Sequence, residues 1–196
     1  MILNNNFKAL LKSKKERAVG LNKNNRLSDM IFISLFVAVM VVCSQIVIPF
    51  GQVPFTLQTM AVFLSASLLG AKRSTCSMFI YILLGAIGLP VFSAFSGGLG
   101  FLLGPTGGYI IGFLFTAFVV GIMTEKLGKS YAILTVAMLI GLLACYSFGT
   151  AWFCFIMKKD ILYGLLLCVV PYLIPDIIKI VCSIFLVKRL EKIIKI

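Results

Sequence analysis

Asp176 and Lys179 lie three residues apart in the stretch PYLIPDIIKIVCSIFLV, which otherwise reads as membrane-spanning. That spacing puts both side chains on one helix face, a turn apart. Ionisable groups at membrane depth are costly, so they usually turn toward a protein-lined cavity and mark a ligand or ion path. One acidic and one basic group together can hold a small polar molecule. The ammonium of Lys179 suits a carboxylate, and Asp176 suits N–H donors. A second reading gives the pair a bracing role. Pro175 fits the first turn of a helix, where its missing N–H costs nothing. Asp176 then sits where the helix dipole favours an anion. Against bracing stands the desolvation of a buried ion pair, which offsets much of its attraction.

Other chemistries find little to use. The chain has no histidine, which removes HExxH metal sites, Ser-His-Asp triads and histidine proton relays. The six cysteines form no CxxC and fall in or beside apolar blocks, so they read as small buried hydrophobes. The segment GLGFLLGPT (98–106) has the look of a phosphate loop, but Pro105 stands where the loop needs its lysine. No ATP hydrolysis is expected. A membrane-embedded enzyme acting on lipid or acyl groups needs a base, nucleophile or metal cluster. Only Asp176 and Lys179 are on offer, so no catalytic residue, metal ligand or cofactor is assigned.

The elements that must position the pair are transmembrane helices. The 196 residues are 61% hydrophobic and 12% charged, far from the balance of a soluble domain. The net charge of +12 does not point to nucleic acid, because the basic residues flank apolar blocks instead of forming one basic face. Residues 1–28 form a basic tail, in which Phe7, Leu10 and Leu11 allow a short amphipathic helix on an anionic membrane surface. Residues 29–196 form the membrane domain. The pattern predicts an all-α polytopic protein of six helices, over residues 30–48, 57–70, 74–89, 107–124, 131–157 and 175–189. An apolar lead-in from Ile161 precedes the last. A span needs about 20 residues to cross the ~30 Å hydrocarbon core, so the second is short.

Charge in the connections alternates. Lys72 with Arg73, Lys126 with Lys129, and Lys188 with Arg189 lie on one side, with the tail. The positive-inside rule puts that side, and both termini, in the cytoplasm. Of the three outer connections, PFGQVPFT (49–56) and PVFSAFSGGLGFLLGPTGG (90–108) carry no charge, and the third carries only Lys158 and Lys159, offset by Asp160. Uncharged irregular backbone is tolerated at a membrane when it packs on protein or lines a cavity, so both read as lids. By position, Tyr109, Phe92 and Gln58 are further expected ligand contacts. Glu125, at a cytoplasmic helix end, reads as solvated. Ser34 and Ala38 make a small-xxx-small pair that allows close approach of another helix.

Three blocks carry a family resemblance: PFTLQTMAVFLSASLLG, YILLGAIGLPVFSAFSGGLGFLLGPTGGYIIGF and PYLIPDIIKIVCSIFLVKRL. They resemble the BioY family, the biotin-binding substrate components of energy-coupling factor transporters, over about residues 27–190. The resemblance implies a six-helix protein of the bacterial cytoplasmic membrane that captures biotin on the outer side. It also implies partners, namely a transmembrane coupling protein and two cytoplasmic ATPases. The family's acidic and basic ligand residues fall on Asp176 and Lys179, and its coupling-protein contact falls on Ser34 and Ala38. That motif usually has alanine at both places, so Ser34 is a departure. The residues alone support a small amphipathic carboxylate; the vitamin's name comes from the resemblance. A self-sufficient biotin facilitator remains the alternative.

Overall fold

The computed structural model describes residues 26–48 and 54–193. The amphipathic segment expected in the basic tail lies outside the described residues, as does most of the first outer connection. The first helix, α1, is described over Arg26–Gln45. A two-residue antiparallel ladder follows, in which β1 (Val47–Ile48) pairs with β2 (Phe55–Thr56) in the register Val47 to Thr56 and Ile48 to Phe55. Next come α2 (Gln58–Ala86), α3 (Leu99–Leu102), α4 (Gly107–Leu127), α5 (Tyr131–Met157), α6 (Ile161–Cys168) and α7 (Leu173–Ile193). The all-α expectation holds, apart from that small ladder.

Four helical segments among the described residues are long and apolar enough to cross a membrane: Arg26–Gln45, Gly107–Leu127, Tyr131–Met157 and the run Ile161–Glu191. The expected second and third helices are both present, as the two halves of α2, which meet at Gly70, where φ is 78° and ψ is −178°. That conformation is open to glycine and strained for any side chain. The Gln58 amide lies 2.7 Å from the Tyr81 hydroxyl, so the second half folds back along the first. The break also leaves the second half of α2 with unsatisfied N–H groups. One is taken up by Glu125 of α4, whose Oε1 accepts from the Ala71 N–H at 3.2 Å. Glu125 is exposed, as expected of a helix end, but it serves as a cap supplied from a neighbouring helix.

Two other boundaries shift. The first helix stops at Gln45, because Val47 and Ile48 turn extended to pair with β2. The last helix starts at Leu173, two residues before Pro175, and its lead-in folds as the separate helix α6 followed by a 3-10 turn over Val170–Tyr172. Pro175 still falls in the first turn, where its ring breaks no backbone bond.

Helix α2 lies at the centre, packed along α4 and against α7, with α5 on the far side of α4. At the end of the second half of α2, away from the break at Gly70, the second outer connection folds back over the bundle. Val91, Phe92, Ser93 and Leu102 are buried within it. These four pack on protein as expected of a lid, while Phe95, Leu99 and Leu103 of the same stretch are exposed.

Candidate ligand cavity

Helix α7 presents a polar stripe to the core. Its buried residues are Asp176, Lys179, Ile180, Ser183, Ile184 and Val187, a three-four spacing that defines one face. Ile177, Ile178, Val181 and Phe185 point outward and are exposed. The two charged groups sit at the upper end of the inward face, and are only 3% (Asp176) and 6% (Lys179) exposed.

The pair is in direct contact. Lys179 Nζ lies 2.7 Å from Asp176 Oδ1 and donates also to Thr59 Oγ1 at 3.0 Å. The Thr59 hydroxyl reaches Asp176 Oδ1 at 3.5 Å, and the Tyr146 hydroxyl donates to Asp176 Oδ2. The ammonium also stands 4.0 Å from the centroid of the Phe55 ring. An ionised carboxylate has about four lone-pair sites and an ammonium three donors. Three neighbours occupy Asp176 and two acceptors occupy Lys179. Among the described residues these contacts hold both charges in place, and a guest would compete with them for the pair.

The pair borders a partly open space. A cavity runs beside the pair, with about 70 Å³ open to the centre of a water-sized sphere. A single water needs about 10–15 Å³ on that scale, so several fit. Pro54, Phe55 and Thr56 come from the first outer connection, and Ser93, Phe101 and Thr106 from the second. Gln58, Thr59, Tyr109, Ile110, Phe113, Cys145, Tyr146, Cys168 and Tyr172 complete the wall around Asp176 and Lys179.

The structure gathers Asp176, Lys179, Tyr109 and Gln58 around this one cavity. The hydroxyl of Tyr109 pairs with Thr150 Oγ1 at 3.0 Å, across the α4–α5 contact. That reach depends on Gly149, because a methyl group there would overlap the Tyr109 ring. Phe92 does not line the cavity. It is fully buried, edge-on to Tyr81 and stacked on Phe101, so it backs a wall residue instead of forming the wall. Ser34 and Ala38 lie far from the cavity on an exposed face of α1, with the Ser34 hydroxyl turned back to the Met30 and Ile31 carbonyls at 2.9 and 3.0 Å.

Thr59 and Tyr146, which touch the pair directly, did not stand out in the sequence. A signal existed for both. Thr59 follows Gln58 at the start of an apolar helix. Tyr146 sits in mid-span, away from the interfacial belts where tyrosines collect. The cysteines divide: Cys145, Cys154 and Cys168 are buried as expected, while Cys76 and Cys182 are exposed.

With this geometry established, similarity to known proteins is informative. The profile of the BioY family matches residues 14–196. A biotin transporter BioY of Thermotoga maritima is 44% identical over 158 residues, spanning 81% of this chain and 92% of the relative. A probable biotin transporter BioY of Pyrococcus horikoshii is 38% identical over 161 residues, spanning 81% and 93%. Among solved structures, the S-component for biotin from an ECF-type ABC transporter superposes with a TM-score of 0.79 at 30% identity. The match covers 86% of this chain and 93% of that one.

Proposed function

Since the chain belongs to the BioY family, we propose that it is the biotin-capturing component of a vitamin uptake transporter. It holds biotin beneath its two outer connections and passes it inward with an energising module. The observation that carries this reading is the Asp176–Lys179 pair, buried in a helix of an apolar bundle yet open to a cavity. Charges so placed are expensive unless a guest uses them.

The contact distance refines how they act. Biotin carries a cyclic urea at one end and a carboxylate at the other, separated by a fused ring and an alkyl chain. Two groups 2.7 Å apart cannot reach both ends at once. They suit the urea, whose N–H and C=O are neighbours. In this reading Asp176 takes the N–H and Lys179 meets the C=O. Phe55, Phe101, Phe113 and Tyr172 supply apolar walls for the bicycle and its thioether.

In the membrane, the two halves of α2 count as separate spans, which brings the number to six. Each half is shorter than a free span and is held by its neighbours. Lys72, Arg73, Lys126 and Lys188 face the cytoplasm with both termini, and the connections around the cavity face outward. The exposed Ser34–Ala38 face of α1 is the docking surface for a transmembrane coupling protein, with two cytoplasmic ATPases supplying energy. The chain itself catalyses no reaction in this reading.

The test is direct. Protein purified from cells should carry close to one biotin per chain, and the ligand-free form should titrate with labelled biotin to a stoichiometric end point. Absence of binding refutes the assignment. Uptake by vesicles holding this chain alone, without partner proteins, supports a self-sufficient facilitator instead.

A further inference from the structure

We infer that Tyr81 is a positioning residue for the ligand site: it acts through Gln58, and the backbone carbonyl of Val91 fixes which way the Gln58 amide faces. This rests on reading the cavity as the biotin site. Tyr81 does not line the cavity; it is 0% exposed, behind the wall.

Its oxygen has the Ser44 hydroxyl beside it and two closer-defined partners. It lies 2.9 Å from the Val91 carbonyl oxygen and 2.7 Å from Gln58 Nε2. A carbonyl can only accept, and two oxygens at that distance repel unless a proton stands between them. The hydroxyl proton of Tyr81 therefore points to Val91, leaving its oxygen to accept from the Gln58 amide N–H. At the other end of the amide, Thr56 Oγ1 lies 2.8 Å from Gln58 Oε1 and donates to it. The amide is thus held nitrogen toward Tyr81 and oxygen toward Thr56. A primary amide has two N–H donors and an oxygen with two lone pairs. One of each is used, so Gln58 keeps one N–H and one lone pair for a guest in the cavity it lines.

The Val91 carbonyl belongs to the second outer connection, and the same region is tied to α1. Ser44 Oγ lies 2.6 Å from that carbonyl. Gln45 Nε2 reaches the Phe92 carbonyl at 3.1 Å, and Gln45 Oε1 accepts from the Phe95 N–H at 2.9 Å. While this connection is seated, the Tyr81 proton is committed to Val91, and the Gln58 amide is fixed at both ends, by Tyr81 on its nitrogen and by Thr56 on its oxygen.

A double-mutant cycle on the purified full chain tests this, with biotin affinity read by titration and the unfolding temperature as a check on the fold. Tyr81→Phe removes a single oxygen and keeps the ring packed on Phe92. It should weaken binding about tenfold. Gln58→Met should weaken it at least as much. The double variant should bind no more weakly than Gln58→Met alone, because Tyr81 has nothing left to act through. Independent, multiplying losses mean a merely structural tyrosine and overturn the inference. So does unchanged affinity in Tyr81→Phe. If the wild type binds no biotin, the reading of the site fails and takes this inference with it. If the wild type binds and only the cycle disagrees, the inference alone fails.

Discussion

The ammonium of Lys179 stands 4.0 Å from the centroid of the Phe55 ring, so a residue of β2 covers the charge that α7 buries. The two come from opposite ends of the sequence. Their contact ties the first outer connection to the polar face of the last helix. Phe55 is thus one wall of the space that a ligand at Lys179 would occupy.

Replacing Phe55 by Leu should remove a cation–π contact of about 1–2 kcal/mol and loosen the cover. Biotin should dissociate about ten times faster, while association changes little. Stopped-flow displacement with excess unlabelled biotin measures the two rates. An unchanged dissociation rate counts against a covering role.

Asp176→Ala and Lys179→Ala each leave the opposite charge buried without its partner. Such losses cost about 3–5 kcal/mol. Each variant should lose at least 100-fold in biotin affinity by equilibrium titration, and each should unfold at lower temperature. A variant that keeps its affinity while losing stability would return the pair to a bracing role.

Tyr146→Phe tests the third partner of the pair. It removes the hydroxyl that donates to Asp176 Oδ2. Hydrogen bonds to charged groups contribute about 1.5–3 kcal/mol. Thermal unfolding in detergent should show a loss of that order. Biotin affinity should fall less than in Asp176→Ala, because the charge itself stays.

Ala38→Trp should separate capture from delivery. The side chain lies on the exposed face of α1, away from the cavity. Biotin titration of the purified variant should match the wild type. Uptake in cells that hold the full set of partners should drop severalfold. Equal uptake would remove this face from the proposed docking surface.

Gly70→Ala addresses the fold alone. The residue needs a positive φ, and an added methyl would overlap the Glu125 carboxylate that caps the next helix. Backbone strain of this kind costs about 1–3 kcal/mol, before the lost cap is counted. The unfolding temperature should fall, and Glu125→Gln should cost less than Gly70→Ala.

Much of the architecture was legible because membrane helices are specified by local composition. Long apolar blocks, short charged breaks and prolines place α1, α4, α5 and α7 to within a few residues. The break at Gly70 was legible as the end of one apolar run; that the next helix resumes at once, without a loop, was not. The same holds for α6, whose eight residues are set off from α7 only by how Pro171 and Tyr172 pack.

Asp176 and Lys179 announced themselves through cost: a charge in an apolar run has few reasons to be there, and spacing alone puts the two on one face. Family likeness, too, is written in the order of residues. What the chain sequence left open is which distant groups meet that face. Thr59, Tyr146 and Phe55 converge on the pair from three other elements, while Phe92, aromatic and well placed in the sequence, ends up behind the wall. Those choices depend on helix rotation and on how the outer connections fold back. Both follow from packing among segments far apart in the chain, which no local pattern encodes.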